Sequence, residues 1–173
     1  MSNDDRDESL PIEPDQFVTG VHYPHPFDDL ATALCTSAVR CIRILSPHLD
    51  HRVFDRVELV DAVGNLARHG RQTEVRILIA DSRQLVARGH RMLQLARRLP
   101  SSVRIQTLAE HPQWNAETVI TRDRNGVLYK PGDSDHEGFF EPDSRASTQK
   151  HLELFDELWR HSTQDVELRT LSL

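Results

Sequence analysis

The chain has 173 residues, of which 28% are charged, and a net charge of −6, so its length suits one domain and its charge argues against general nucleic-acid binding. Its two cysteines, Cys35 and Cys41, are too few for a disulfide framework. No apolar run approaches the roughly twenty residues of a membrane span, and no secretory leader is recognisable, so we expect a cytoplasmic protein without a membrane partner.

The first 26 residues are acidic and contain four prolines, which interrupt any periodicity. We therefore predict a largely disordered arm, with its later part, around residues 17–27, lying on a single domain formed by residues 27–173. A run of like charges can also serve as an interaction tail. The arm is thus one candidate for a protein-interaction segment.

The next part of the chain predicts a helix, a strand and a second helix. A helix capped by Asp28 or Asp29 is expected to run to about Val39. Residues 41–45 are apolar apart from one arginine and predict the first strand of the sheet. Apolar side chains at helical spacing then predict a helix over residues 53–69.

The centre of the chain repeats this strand–helix order. Residues 75–79 are mostly β-branched or aliphatic, which is typical of a strand buried on both faces. Asp81 and Gln84 have the spacing of a capping box, and the helix they begin is expected to end at Pro100. One face of that helix is apolar, and the opposite face carries Arg83, His90, Arg91, Gln94, Arg97 and Arg98.

After a third strand at residues 102–107, the pattern changes. Asn125-Gly126 is a strong hairpin signal between two short apolar segments. An acidic excursion and a closing helix follow, and the last eight residues form an edge strand or end without regular structure. The expected ranges are 117–122 and 126–129 for the hairpin, 132–147 for the excursion, and 149–161 for the helix.

Two successive strand–helix units predict parallel strands with right-handed crossovers, and the hairpin adds an antiparallel pair. The predicted fold class is therefore α/β, with a mixed, mostly parallel sheet of about five strands and helices on both faces.

This order of elements resembles one half of the phospholipase D fold, and in particular an uncharacterised bacterial family of phospholipase-D-like half-domains. The resemblance rests on ILSPHLDHRVFDRVELVDAV, VRILIADSRQLVARGHRMLQLARRLP, VITRDRNGVLYKP and LFDELW. Catalytic half-domains of this fold pair with each other, so the resemblance also implies a homodimer.

The resemblance also bears on catalysis. Catalytic members carry H-x-K-x4-D, in which the histidine attacks phosphorus and the lysine neutralises phosphoryl oxygens. With Asp123 at the motif's aspartate, Ala116 occupies the histidine position and Thr118 the lysine position. We therefore predict no phosphodiesterase activity of this type, and we interpret Asp123 as a hairpin turn residue.

Ligands of open α/β sheets bind outside the carboxyl ends of the strands. Here the first two strand ends supply candidate ligand-binding residues, namely Ser46, His48, Asp50, Asp81, Ser82 and Arg83. Residues near Thr107 follow the third strand. The amides of Ser82 and Arg83 could hold an anion at the start of a helix. The favoured alternative is that Asp81 already caps those amides.

The basic helix face offers a second hypothesis. Arg83, His90 and Arg91 could bind an anionic small molecule, an acidic segment or, less favoured, a nucleic-acid backbone. A solvated face paired with the chain's own acids is the favoured alternative. The leading interpretation is a non-catalytic domain for binding, regulation or assembly.

An enzyme that uses Asp50, Asp81 and His90 as acid and base groups remains the alternative, provided that the three converge in one cleft. His48 and His51 beside Asp50 suggest a metal site only weakly, because Asp50 is well placed to cap a helix. G-x-G-x-x-G, G-x4-G-K and G-x-S-x-G motifs are absent from the sequence. We expect no metal and no cofactor.

Overall fold

A mixed sheet of seven strands, in the order β1-β7-β6-β5-β2-β3-β4, organises residues 15–169, which are the residues that the computed structural model describes. The strands are β1 Val18–Val21, β2 Cys41–Ser46, β3 Glu74–Ile79, β4 Val103–Thr107, β5 Thr118–Arg122, β6 Gly126–Lys130 and β7 Gly138–Glu141. The helices are α1 Phe27–Thr36, α2 His51–Phe54, α3 Val57–Arg68, α4 Arg83–Arg88, α5 Arg91–Arg98, α6 Arg145–His161 and α7 Val166–Arg169.

The predicted α/β class with a mixed sheet is confirmed, but the sheet is larger and more antiparallel than expected. Only β2–β3 and β3–β4 are parallel, and the other four pairs are antiparallel. One extra strand, β1, lies in the segment expected to be an arm, and the other, β7, lies in the acidic excursion. They pair with each other at Val18 with Phe140 and at Val21 with Gly138.

Two of the predicted helices are each divided in two. The helix expected between Asp81 and Pro100 breaks at Gly89, whose φ of +73° suits glycine, and at His90, which is extended. His90 consequently turns inward and is 2% exposed. The prediction that His90 lies on the basic outer face of the helix was therefore wrong. The helix expected over residues 53–69 starts at His51 and breaks between Phe54 and Val57.

The ends of the chain also differ from expectation. Helix α6 begins four residues before the predicted start, because the Ser144 side chain accepts the Ser147 N–H and caps it. Val166–Arg169 forms a short helix rather than an edge strand. The acidic side chains at positions 4–13 and the last four residues lie outside the described residues.

Both faces of the sheet are covered by apolar side chains. One cluster joins alternate residues of β2 and β3 to α1, α3 and α5, and a smaller one joins Leu45, Leu78 and Val127 to Phe155 and Leu158 of α6. This two-sided burial explains the continuous aliphatic runs of β2 and β3. Among residues 15–169, no helix has the length and hydropathy to cross a membrane.

Candidate functional site at the carboxyl edge

Loops from both the parallel and the antiparallel strands meet at one edge of the sheet. β2, β3 and β4 end there, and β5, antiparallel to β2, begins there. The loop after β2 joins the loop after β3, because the Pro47 carbonyl accepts the Ala80 and Asp81 N–H groups at 2.8 and 2.9 Å. This carboxyl edge is where ligands of open α/β sheets bind.

The predicted site residues after β2 stabilise their own loop. Ser46 is buried, and its hydroxyl accepts the Leu49 N–H at 3.1 Å. Asp50 caps α2 through the Arg52 N–H at 3.0 Å and also accepts the Tyr23 hydroxyl at 2.9 Å. Burial opposes the charge of Asp50, but hydrogen bonds from Arg52 and Tyr23 outweigh it and lower its pKa to about 2. His48 is exposed.

The loop after β3 repeats the same arrangement. Asp81 accepts the Arg83 N–H at 3.0 Å and pairs with the Arg83 guanidinium at 2.6 Å. Those hydrogen bonds lower the pKa of Asp81 to about 2. The Ser82 hydroxyl donates to Asp165 at 2.7 Å. The expected self-capping by Asp81 thus agrees with this geometry, and the carboxylate occupies the place of the proposed anion.

His90 and Arg91 connect the two helix breaks. The Arg91 N–H donates to Asp55 at 2.7 Å, and His90 contacts the Leu49 carbonyl through Nε2 at 3.0 Å. The His90 Nδ1 accepts the Met92 N–H at 3.1 Å. Burial lowers the pKa of His90 to about 4, although Asp55 opposes this shift. Both ring nitrogens of His90 therefore have structural partners.

The acid and base groups of the enzyme alternative do not share a network among the described residues. Asp50 bonds Tyr23 and Arg52, and Asp81 bonds Arg83. His90 lies in a buried contact with Leu49 instead. These bonds hold the three groups in separate local structures, and each local structure stabilises a loop or a helix start.

A cleft of about 710 Å³ opens at the carboxyl edge beside these networks. It is lined by Pro47, Ala80, Ala109, Glu110, His111, Pro112, Trp114, Asn115 and Ala116. The Trp114 indole is fixed by a hydrogen bond from its Nε1 to the Glu117 carbonyl at 3.1 Å. Most of the wall is apolar, with a few polar groups, which is typical of small-molecule sites.

The backbone beneath the cleft is closely packed. Ala116 has a φ of +60°, and Gly132 lies so near it that a β-carbon at position 132 would stand 2.2 Å from the Asn115 carbonyl oxygen. Position 132 therefore requires glycine. The contact fixes Asn115 and Ala116 against the start of the loop that follows β6.

The neighbouring part of the edge is filled by side chains. The Lys130 ammonium donates to the Pro131 carbonyl at 3.0 Å, lies 3.5 Å from Asp135, and stands 5.0 Å from the centre of the Tyr23 ring. The Tyr23 N–H also bonds the Asp135 carbonyl at 2.7 Å. Burial, and then Asp50, raise the pKa of the Tyr23 hydroxyl. This packing leaves the cleft near Trp114 as the open part of the edge.

A larger cleft, of about 960 Å³, lies at the opposite edge of the sheet, and charged side chains dominate its lining. Arg43 lies 3.9 Å from Glu74 and 3.7 Å from Asp156. The Asp123 carboxylate there accepts three backbone N–H groups from Val39, Arg40 and Cys41. Arg43 is thus occupied by acidic side chains and Asp123 by backbone amides, so the cleft beside Trp114 is the better candidate site.

Comparison with known proteins assigns the chain to a family. A search of curated proteins finds no match to the sequence. The model of the family described as a domain of unknown function, DUF7931, matches residues 23–171. The chain belongs to the DUF7931 family. The match includes the carboxyl edge and all the candidate residues on it.

Solved structures resemble the DUF7931 domain in fold. Nuc, a phospholipase D family member from Salmonella typhimurium, has a TM-score of 0.62 at 16% identity, over 87% of this chain and 99% of Nuc. NucT from Helicobacter pylori has a TM-score of 0.59 at 13% identity, over 87% of this chain and all of NucT. These identities show the fold alone, which is phospholipase-D-like.

A third similar structure is that of TrmBL2, described as an archaeal chromatin protein with a novel mode of DNA binding. Its TM-score is 0.60 at 12% identity. The match covers 92% of the DUF7931 chain but only 57% of TrmBL2. Proteins with this fold thus include phospholipase D family members and a DNA-binding protein.

Sequence reasoning missed the residues that line the open cleft of this DUF7931 domain. Trp114 and His111, the two aromatic groups of the cleft, were not among the predicted site residues. The end of the third strand, near Thr107, was expected at this edge, but the loop between β4 and β5 has no motif. The sequence therefore did not indicate which side chains of that loop line the cleft. Glu157 and His161 lie four residues apart at the end of a helix, a spacing that places both side chains on one face and could have indicated a site.

Proposed function

We propose that this DUF7931 domain is a non-catalytic binding domain whose ligand occupies the cleft beside Trp114. The observation that carries the proposal is the position of Ala116. The resemblance to the phospholipase D families gives this position to the attacking histidine, and its methyl group lines the open cleft instead. The cleft is thus open at a position where the side chain cannot act as a nucleophile.

The lining favours a small molecule with an aromatic or apolar body. Alanines, prolines and Trp114 supply most of the wall, whereas His111, Asn115 and Glu110 are its polar groups. We place the ligand here rather than on Arg83 and Arg91, because both of those arginines already have aspartate partners. An anionic ligand would then be held near His111.

Trp114 fluorescence tests the proposal in a Trp159→Phe background, in which only Trp114 emits. Phenyl phosphate, benzoate and uncharged benzyl alcohol are suitable probes, because they separate the contribution of an aromatic ring from that of an anionic group. We expect saturable changes that Ala116→Phe abolishes by filling the cleft. Ala87→Phe, at an exposed position on α4, is the matched control and should leave binding unchanged.

A turnover assay addresses the non-catalytic part of the proposal. The protein should not hydrolyse bis(p-nitrophenyl) phosphate above the rate without protein. Hydrolysis that disappears on replacement of a single histidine would refute the absence of phosphodiesterase chemistry. Fluorescence changes that are equal in the Ala116→Phe and Ala87→Phe variants would refute the cleft as the binding site.

A further inference from the structure

Three side chains at the rim of the cleft have the chemistry and spacing of metal ligands. One ligand atom from each of His111, Glu157 and His161 lies within 4.8 Å of the other two. The His161 Nε2 is 3.0 Å from a Glu157 carboxylate oxygen, and the centres of the two histidine rings are 5.4 Å apart. None of the three was a candidate on sequence grounds.

The fold fixes the two elements that carry these side chains. Glu157 and His161 are four residues apart in the last turns of α6, so they share one face of the helix. Directly after this helix, Thr163 exchanges two backbone hydrogen bonds of 2.9 Å with Thr107, the last residue of β4. His111 lies in the loop that leaves this same strand end, so the helix end and the histidine loop are joined at their base.

We propose that His111, Glu157 and His161 bind a divalent transition-metal ion of the zinc class. Two imidazoles and one carboxylate suit zinc, and three protein ligands leave a fourth position for water or another donor. The inference goes beyond the binding role proposed above, and it holds whether or not the cleft takes an organic ligand.

The groups around the three ligands are compatible with a metal. Arg160 pairs with the second oxygen of Glu157, which leaves the first oxygen facing His161. A metal ion would replace the hydrogen bond between His161 and Glu157, while Arg160 would continue to orient the carboxylate.

His111 offers a specific spectroscopic signal. Its Nδ1 accepts the Gln113 N–H at 3.1 Å. Coordination through Nδ1 would displace that amide, and coordination through Nε2 would require the ring proton to sit on Nδ1, where it faces the same amide. Either mode therefore changes the environment of the Gln113 N–H, and its amide resonance should shift on metal binding.

A second group of potential ligands supplies a matched control. His25, Asp28 and Asp29 also lie within 4.8 Å of one another. The Arg56 guanidinium, however, already contacts Asp28 at 2.5 Å and Asp29 at 3.3 Å. This group offers one imidazole instead of two, and Arg56 pairs with both of its carboxylates, so it is the poorer zinc site. His25→Ala should therefore not alter metal binding.

The experiment titrates zinc chloride into the untagged full chain by calorimetry, with Co²⁺ absorption to report the coordination geometry. We expect saturable binding of one ion per chain with a dissociation constant in the micromolar range or tighter. Both His161→Ala and His111→Ala should weaken binding at least about tenfold, because even the loss of a residue that only orients a metal ligand commonly costs that much. Glu157→Gln should weaken it too, and His25→Ala should match the parent.

Circular dichroism of each metal-free variant separates loss of ligands from loss of fold. If His111→Ala alone unfolds, the decision rests on His161→Ala and Glu157→Gln, which change exposed or partly exposed positions at a helix end. Parent-like zinc affinity in the folded His161→Ala and Glu157→Gln variants would overturn the proposal. An equal loss in His25→Ala, or no shift of the Gln113 amide at saturation, would overturn it as well.

Discussion

Lys130 lies directly opposite Thr118 across the antiparallel pair formed by β5 and β6, so the two side chains leave the same face of the sheet. The resemblance to catalytic phospholipase D families gives position 118 to the lysine. An ammonium is therefore near that position, but on the neighbouring strand. This ammonium interacts with groups of the same sheet edge, namely Asp135, the Pro131 carbonyl and the Tyr23 ring.

Lys130→Met tests whether this ammonium stabilises the edge. Methionine keeps the unbranched apolar stem, whereas the interactions with the Tyr23 ring and Asp135 are lost. We expect the free energy of unfolding to fall by about 1 kcal/mol, the size of a partly desolvated cation–π contact. Urea denaturation measures it, with Lys150→Met at an exposed site as the control. A variant as stable as the parent would show that Lys130 is not structural.

Asp123 provides a second test, at the opposite edge. Its carboxylate accepts the N–H groups of Val39, Arg40 and Cys41 at 3.1, 2.8 and 3.0 Å. Removal of a charged acceptor leaves these donors without that partner. Asp123→Ala should therefore lower the free energy of unfolding by about 3 kcal/mol in urea denaturation.

Backbone strain at Asp123 needs its own control, because its φ is +51° and alanine tolerates this region less well than aspartate. Asp123→Gly relieves the strain but still lacks the carboxylate, and Asp123→Asn keeps one acceptor oxygen. The order of stability should be parent, then Asn, then Gly, then Ala. A Gly variant equal to the parent would show that strain, and not hydrogen bonding, accounts for the loss in Ala.

The example of Asp123 indicates how far sequence reasoning extends. Its place in the hairpin turn followed from local turn chemistry, and the hairpin itself is confirmed by the pairing of β5 with β6. Its three hydrogen bonds could not be predicted, because the donors lie more than 80 positions earlier in the chain. Local patterns identified most elements, whereas contacts between distant loops required the assembled sheet.

The same limit explains the errors at the candidate site. His90 fits the polar face of a continuous helix by spacing alone, and only the break at Gly89 turns it inward. β1 and β7 are only four residues long and each contains a glycine, so neither has a strong pattern by itself, and each forms half of the pair that extends the sheet. The cleft depends on the loop containing His111 and Trp114, whose path has no local signature.

His90 should make stability depend on pH. Its Nδ1 accepts the Met92 N–H, so protonation would place two donors against each other inside the protein. The groups that face the His90 ring are Asp55, His51 and Arg91. Asp55 favours the protonated ring, but burial outweighs this effect. The pKa is therefore about 4 in the folded state, against 6.5 for an ordinary histidine.

Between those two pH values the unfolded chain binds a proton at position 90 that the folded chain does not. The contribution of the neutral ring to the free energy of unfolding is fully present above about pH 6.5. It falls as the pH drops toward 4, by up to about 1.4 kcal/mol per pH unit. Urea titrations at pH 7, 6 and 5 measure this slope. His90→Asn should be less stable at pH 7 but should show a shallower pH slope. An unchanged slope would exclude His90 as the source.

Deletion of the first 26 residues should damage the fold, because that segment contains β1. Val21 is 2% exposed and pairs with Gly138, and the Tyr23 hydroxyl bonds Asp50. Removal of residues 1–26 should cost about 3 kcal/mol or more, since one buried valine alone contributes roughly 1.5 kcal/mol. A shorter deletion, of residues 1–14, removes most of the acidic side chains and keeps β1.

The two deletions therefore separate an interaction role of the acidic residues from a folding role of β1. Urea denaturation of both should show the larger loss for the longer deletion, and equal midpoints would contradict a structural contribution from β1. If an interaction partner is captured by the parent, its loss from the shorter deletion, with stability retained, would support an interaction role for the acidic residues. If the interaction partner is lost only with the longer deletion, unfolding of the sheet edge explains the loss, because β7 would then have no neighbouring strand on its outer side.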